Sequence, residues 1–159
     1  MAVSKDKNRN RKEDVMIKRE GTVDYALEKS VYVEMRISRL KEKMSANGID
    51  AVIIRKPETA FYFSNFNPVL NSHPAFVVVT LDAEPCLLVH SIRCAHAKEE
   101  GALKRVELYG KWGANVPLAG KAADAIRLLV GKEKLCLGME LDDISMDFYQ
   151  EIQEVLHPD

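Results

Sequence analysis

Residues 36–66, RISRLKEKMSANGIDAVIIRKPETAFYFSNF, constrain the fold more than any other stretch of the chain. Val33, Ile37, Leu40 and Met44 recur at spacings of four, three and four, which puts them on one face of a helix. Arg36, Arg39, Lys41, Glu42 and Lys43 fill the other faces. Asn47-Gly48 ends this helix, because glycine adopts the left-handed conformation of a helix terminus without a Cβ penalty. Ala51-Val52-Ile53-Ile54 follows as an unbroken apolar run, the pattern of a strand covered on both faces. Pro57 blocks its continuation and opens a helical turn that Ser64–Pro68 closes. A helix, a doubly buried strand and a second helical turn in that order require layers of helix on both sides of a sheet.

The rest of the chain extends this plan. Residues 75–80 and 86–90 read as two strands, and the five-residue linker Leu81–Pro85 makes them an antiparallel hairpin. Helices are expected over 92–100 and 117–130, stopped by Gly101 and Gly131, with strands at 105–109 and 135–139. Asp143 or Ser145 caps a last helix reaching Leu156. Strands separated by helices imply parallel crossovers. The fold class is therefore α/β: a mixed, mostly parallel sheet of five or six strands with helices on both faces.

At 159 residues the chain suits one domain, and a domain of this size holds a real core. Net charge is −1, so no global field favours nucleic acid or an anionic membrane. No apolar run approaches the roughly 20 residues of a membrane span, and the polar N-terminus has no signal-peptide core. Cys86, Cys94 and Cys136 are odd in number and widely spaced, which argues against a disulfide framework and for a reducing cytoplasm. Each sits beside apolar residues, so buried thiols are expected. Residues 1–29 form a basic arm, with five Lys or Arg and no apolar residue between Lys5 and Lys12. Such a segment cannot bury enough surface to offset its ordering entropy, and a flexible terminus is the plainer reading beside nucleic-acid contact. Helical character begins at Tyr25 or Ser30, and the domain proper spans 30–159.

Catalytic signatures are weak. Cys94 and His96, two apart in a helix, project to different faces, and no second Cys/His pair stands at zinc-finger spacing. No HExxH, GxSxG or P-loop pattern occurs. Gly110–Gly113 is too short to cradle a phosphate. Glu140, Asp142 and Asp143 are read as charge favoured at a helix N-terminus rather than as a metal site. Phe61, Tyr62, Phe63 and Phe66 pack mostly on the sheet, with one or two facing a cleft. The segment Asn65–Pro74 is the best binding candidate: polar, proline-bounded and set between two apolar elements. Its His73 can donate to a carboxylate or carbonyl, set against the plainer reading of a solvated loop histidine.

Several motifs in order resemble the N-terminal domain of the creatinase, prolidase and aminopeptidase P family. They are Arg39-Leu40, then Gly48-Ile49-Asp50-Ala51 with its apolar run, and Pro57-Glu58-Thr59-Ala60-Phe61-Tyr62-Phe63-Ser64-Asn65-Phe66. Glu84-Pro85-Cys86-Leu87-Leu88-Val89 and Leu137-Gly138-Met139-Glu140 complete the set, and the likeness covers residues 30–157. Asn65 stands where the family has glycine, a change that a left-handed turn tolerates. The resemblance implies a non-catalytic domain of an Xaa-Pro dipeptidase or aminopeptidase. The catalytic pita-bread domain, with its two divalent metal ions (manganese or cobalt), would lie outside this chain. It further implies contacts with that C-terminal domain, a homodimer, a small peptide substrate, and no metal or catalytic residue within the chain. His73, Asn71 and Asn67 are the residues expected to meet substrate across the subunit boundary. A metal-free creatinase-like amidinohydrolase and a non-enzymatic peptide- or histone-binding module are the alternatives.

Overall fold

The computed structural model describes residues 25–68, 72–110, 118–131 and 135–156. The 1–24 portion of the basic arm, Asn71, the 111–117 loop and His157 lie outside the described residues. The first helix, α1, spans Tyr25–Ala46, so it takes the earlier of the two expected starts and the last five residues of the 1–29 arm are helical. Val33, Ile37 and Met44 are buried and Leu40 is partly buried against the same cluster, as the stripe requires. Gly48 has φ 67°, and the Ile49 N–H reaches back to the Met44 carbonyl at 2.9 Å, closing the helix end.

Strand β1 (Ala51–Ile54) is followed by α2 (Pro57–Ser64), then by the hairpin of β2 (Phe76–Thr80) and β3 (Cys86–His90). A 3-10 turn (Ser91–Arg93) leads into α3 (Cys94–Glu100). Then come β4 (Arg105–Gly110), α4 (Leu118–Val130), β5 (Leu137–Met139) and α5 (Met146–Leu156). The five strands form one sheet in the order β4-β3-β2-β1-β5. Pairings β3–β4 and β1–β5 are parallel, and β1–β2 and β2–β3 are antiparallel. Four strands thus share a direction and only β2 opposes them.

Each face of the sheet carries its own core. Ile54, Val77, Val79, Leu87 and Val89 pack under α1, α2 and α3. Ala51, Ile53, Phe76, Val78 and Leu88 pack under α4 and α5. The alternation along β1 is what the unbroken Ala-Val-Ile-Ile run demanded, because side chains of a strand point alternately to opposite faces. Lys41 of α1 pins the hairpin turn, donating to the Leu81 and Ala83 carbonyls at 3.1 and 2.8 Å. The expectation of three buried thiols holds only for Cys86; Cys94 is half-buried and Cys136 is exposed. Cys136 lies just before the edge strand β5, where neighbouring apolar residues do not imply cover. Burial pushes the Cys86 thiol up to about 11, which keeps it protonated and unreactive.

The end of α2 fixes where the candidate segment begins. Asn65 has φ 55° and ψ 17°, and its N–H returns to the Phe61 carbonyl. Buried Ser64 ties the turn together, its Oγ donating to the Ala60 carbonyl at 2.6 Å and accepting from the Phe66 N–H at 3.1 Å. Phe66 is thereby turned into the core, fully buried. Asn65→Gly is expected to leave stability within a few tenths of a kcal/mol, whereas Asn65→Val loses about 1–2 kcal/mol in urea denaturation, because a branched side chain resists the left-handed conformation.

Candidate functional site

Because β2 is antiparallel to β1 and β3, its first residues lie beside the last residues of these two neighbours, and β4 and β5 run parallel to them. One edge of the sheet therefore collects Arg55 after β1, Glu140 after β5, His90 at the end of β3, Tyr109 and Gly110 at the end of β4, and His73-Pro74 before β2. The carboxyl ends of strands in an open α/β sheet are the usual place for ligands.

Two groups of contacts organise this edge. In the first, Glu140 Oε2 accepts from the backbone N–H groups of Arg55 and Lys56 at 3.2 and 3.1 Å. Arg55 Nη1 pairs with Asp143 Oδ2 at 2.8 Å and also donates to the Asp143 carbonyl. Lys56 Nζ meets Asp142 Oδ2 at 2.6 Å. That hydrogen bond holds the Asp142 carboxyl below its usual range and the Lys56 ammonium above its own. Both groups are exposed, so solvent screens the pair. The acidic cluster is thus a clamp between the ends of β1 and β5, which corrects the expectation of helix N-terminal charge. Ser145 is the cap of α5, its Oγ accepting from the Phe148 N–H at 3.3 Å.

In the second, the Tyr109 hydroxyl donates to the Pro74 carbonyl at 2.8 Å. Burial raises the tyrosine pKa, so the donor stays protonated. The His90 ring lies edge-on between His73 and Tyr109, with centroid distances of 4.7 and 5.9 Å. His73 itself is half-buried, with Nδ1 at 3.0 Å from the Ser72 hydroxyl. Asn67 is exposed, immediately after buried Phe66.

Between the two groups opens a cleft of about 490 Å³, within the range of small-molecule sites. Arg55, Pro74 and Phe76 form one side, and Asp147, Phe148, Glu151 and Glu154 of α5 the other. Phe76 and Phe148 stack at 5.2 Å beneath it. Of the three residues singled out in the sequence, His73 is held at this edge, Asn67 stands exposed at the start of the same segment, and Asn71 lies outside the described residues. Phe61 and Tyr62 are the aromatics of α2 that face outward, with the Arg36 guanidinium 4.1 Å from the centre of the Tyr62 ring. Arg55, His90 and Tyr109 belong to no functional motif in the sequence. The signal for them was positional, since each is a polar side chain within a residue of the C-terminal end of a strand.

A family profile described as the creatinase/prolidase N-terminal domain matches residues 36–159. The chain belongs to this family. No curated protein matches it. The N-terminal domain of an X-Pro dipeptidase from Streptococcus pyogenes shares the fold with a TM-score of 0.65 at 16% identity, over 79% of this chain and 96% of that one. A dipeptidase domain from Streptococcus thermophilus gives 0.63 at 19% identity, over 77% and 88%. The prolidase from Pyrococcus horikoshii gives 0.60 at 23% identity, over 78% of this chain but only 30% of that enzyme. This creatinase/prolidase N-terminal domain has no group of three or more His, Cys, Asp or Glu side chains arranged to hold a metal ion among its described residues. The Asp142 and Asp143 carboxylates are already engaged by Lys56 and Arg55. The family resemblance implies its metal pair in a domain outside this chain, not among these residues. No described helix is long and apolar enough to cross a membrane.

Glu140→Ala leaves two backbone N–H groups without their acceptor and is expected to cost about 1–3 kcal/mol in chemical denaturation. Lys56→Ala, which removes only the screened surface pair, should leave the denaturation midpoint unchanged within error.

Proposed function

We propose that this chain is the non-catalytic N-terminal domain of an Xaa-Pro dipeptidase or aminopeptidase-type hydrolase. The observation that carries the reading is the family match across residues 36–159. The fold shared with N-terminal domains of Xaa-Pro dipeptidases supports it. On this reading a separate catalytic domain holds two divalent ions, manganese or cobalt, and the enzyme is a cytoplasmic homodimer. The domain then acts by shape. Asn67, Asn71 and His73 would then meet a small peptide bound at the partner subunit. Groups held on a packed scaffold lose little entropy when a substrate binds, so they select substrate by fit.

The native gene product and this 159-residue chain, each reconstituted with manganese, give the test. The expected result is about two ions per subunit on a product that carries the catalytic domain, with cleavage of Xaa-Pro dipeptides, and none on this chain alone. His73→Ala in that product should raise KM about tenfold with a smaller change in kcat, the pattern of lost substrate binding. A native product that binds no metal and leaves Xaa-Pro dipeptides intact overturns the proposal.

A further inference from the structure

His90 is a buried histidine at the end of β3, and its surroundings suit only the neutral ring. Its Nδ1 accepts from the Ile92 N–H at 3.3 Å, which places the ring proton of the neutral form on Nε2. Protonation adds a hydrogen at Nδ1, and two donors then face each other. The charged or titratable groups around the ring among the described residues come from three elements. His73 lies on the bend before β2, Tyr109 on β4 and Lys121 on α4. None of them is a carboxylate. The Tyr109 hydroxyl is already directed at Pro74. On the β4 side the ring is closely packed, since a Cβ on Gly110 would stand 3.0 Å from His90 Cδ2. The escape lies with His73, which is half-buried on a bend and held by the His90 ring and the Ser72 hydroxyl.

We propose that His73 and His90 form a proton-operated latch, in which the neutral His90 ring seats the Ser72–Pro74 bend on the ends of β3 and β4 and a proton on His90 releases His73. Burial, the neighbouring His73 and Lys121 all hold the His90 pKa below 6.5. The released or unfolded form therefore takes up the proton more readily than the seated one. The stabilisation is fully present above 6.5 and is lost as pH falls through the lower value of the seated state. Pro74 stays anchored throughout by Tyr109, so the change does not pass into β2. The latch is independent of any enzymatic activity and is complete within this chain.

The experiment is histidine-selective nitrogen NMR on the full 159-residue chain from about pH 7.5 to about pH 5, with amide exchange at Ile92 in parallel. His90 is expected to titrate below 6.5, with the His73 signals changing over the same interval. Ile92 protection should fall about five- to tenfold as its acceptor is lost. In His90→Asn, whose side-chain oxygen still accepts from Ile92 but cannot titrate, the response of His73 at the His90 midpoint should disappear. His90 titrating at or above 6.5, His90 staying neutral until the whole chain unfolds, or an unchanged His73 response in His90→Asn overturns the latch. If His90→Asn does not fold, His73→Gln decides instead: the His90 midpoint rises when its neighbour is removed, and a midpoint that does not move refutes the proposal.

Discussion

β2 hydrogen-bonds to β1 and β3 while running against both, so its N-terminus is set beside their C-termini. The sheet could not otherwise bring a loop that precedes a strand to the edge where loops leave the other four. His73 and Pro74 come to His90 and Tyr109 for this reason, although they are far apart in the chain. The direction of β2 follows in turn from the hairpin, whose short turn is held down by Lys41. A surface lysine on α1 thus contributes to the order of a site on the opposite edge.

The shortest strand carries a related burden. β5 has three residues and pairs only with β1, in the parallel arrangement that is slightly the weaker per residue. It is fastened at both ends. The Asp50 carboxylate accepts from the Cys136 N–H at 2.9 Å before the strand, and Glu140 holds Arg55 and Lys56 after it. The charged residues that flank β1 in sequence are therefore part of how the sheet closes.

Much of this was legible from side-chain pattern. The stripe of α1, the two-faced burial of β1, the hairpin, the stop at Gly48 and the left-handed Asn65 all follow from local periodicity or turn chemistry, which a sequence displays directly. The family was legible because short motifs recurred in a fixed order. The edge was harder to read. Glu140, Asp142 and Asp143 precede a helix, and proximity in sequence suggested the helix as their partner; their actual partners are Arg55 and Lys56, brought near by the β1–β5 pairing. His90 gave no periodic signal, because a single polar residue ending an apolar strand is read as the strand's terminus. The exposure of Cys136 depends on its place at the sheet edge, which apolar neighbours do not reveal.

Gly110 carries a consequence for how this domain can change over generations. Its lack of a side chain leaves the space beside the His90 ring, where a Cβ would stand 3.0 Å from Cδ2. A larger residue at 110 crowds the imidazole, which must then give by a few tenths of an ångström, while a smaller residue at 90 leaves space beside the glycine. Substitutions at the two positions are therefore not independent, and their effects on stability will not add. A lineage that replaces the histidine first can then accept a side chain at 110, whereas the reverse order passes through a strained intermediate. Once 110 has been filled, the way back to histidine at 90 meets that crowding, so the history of this edge has a preferred direction.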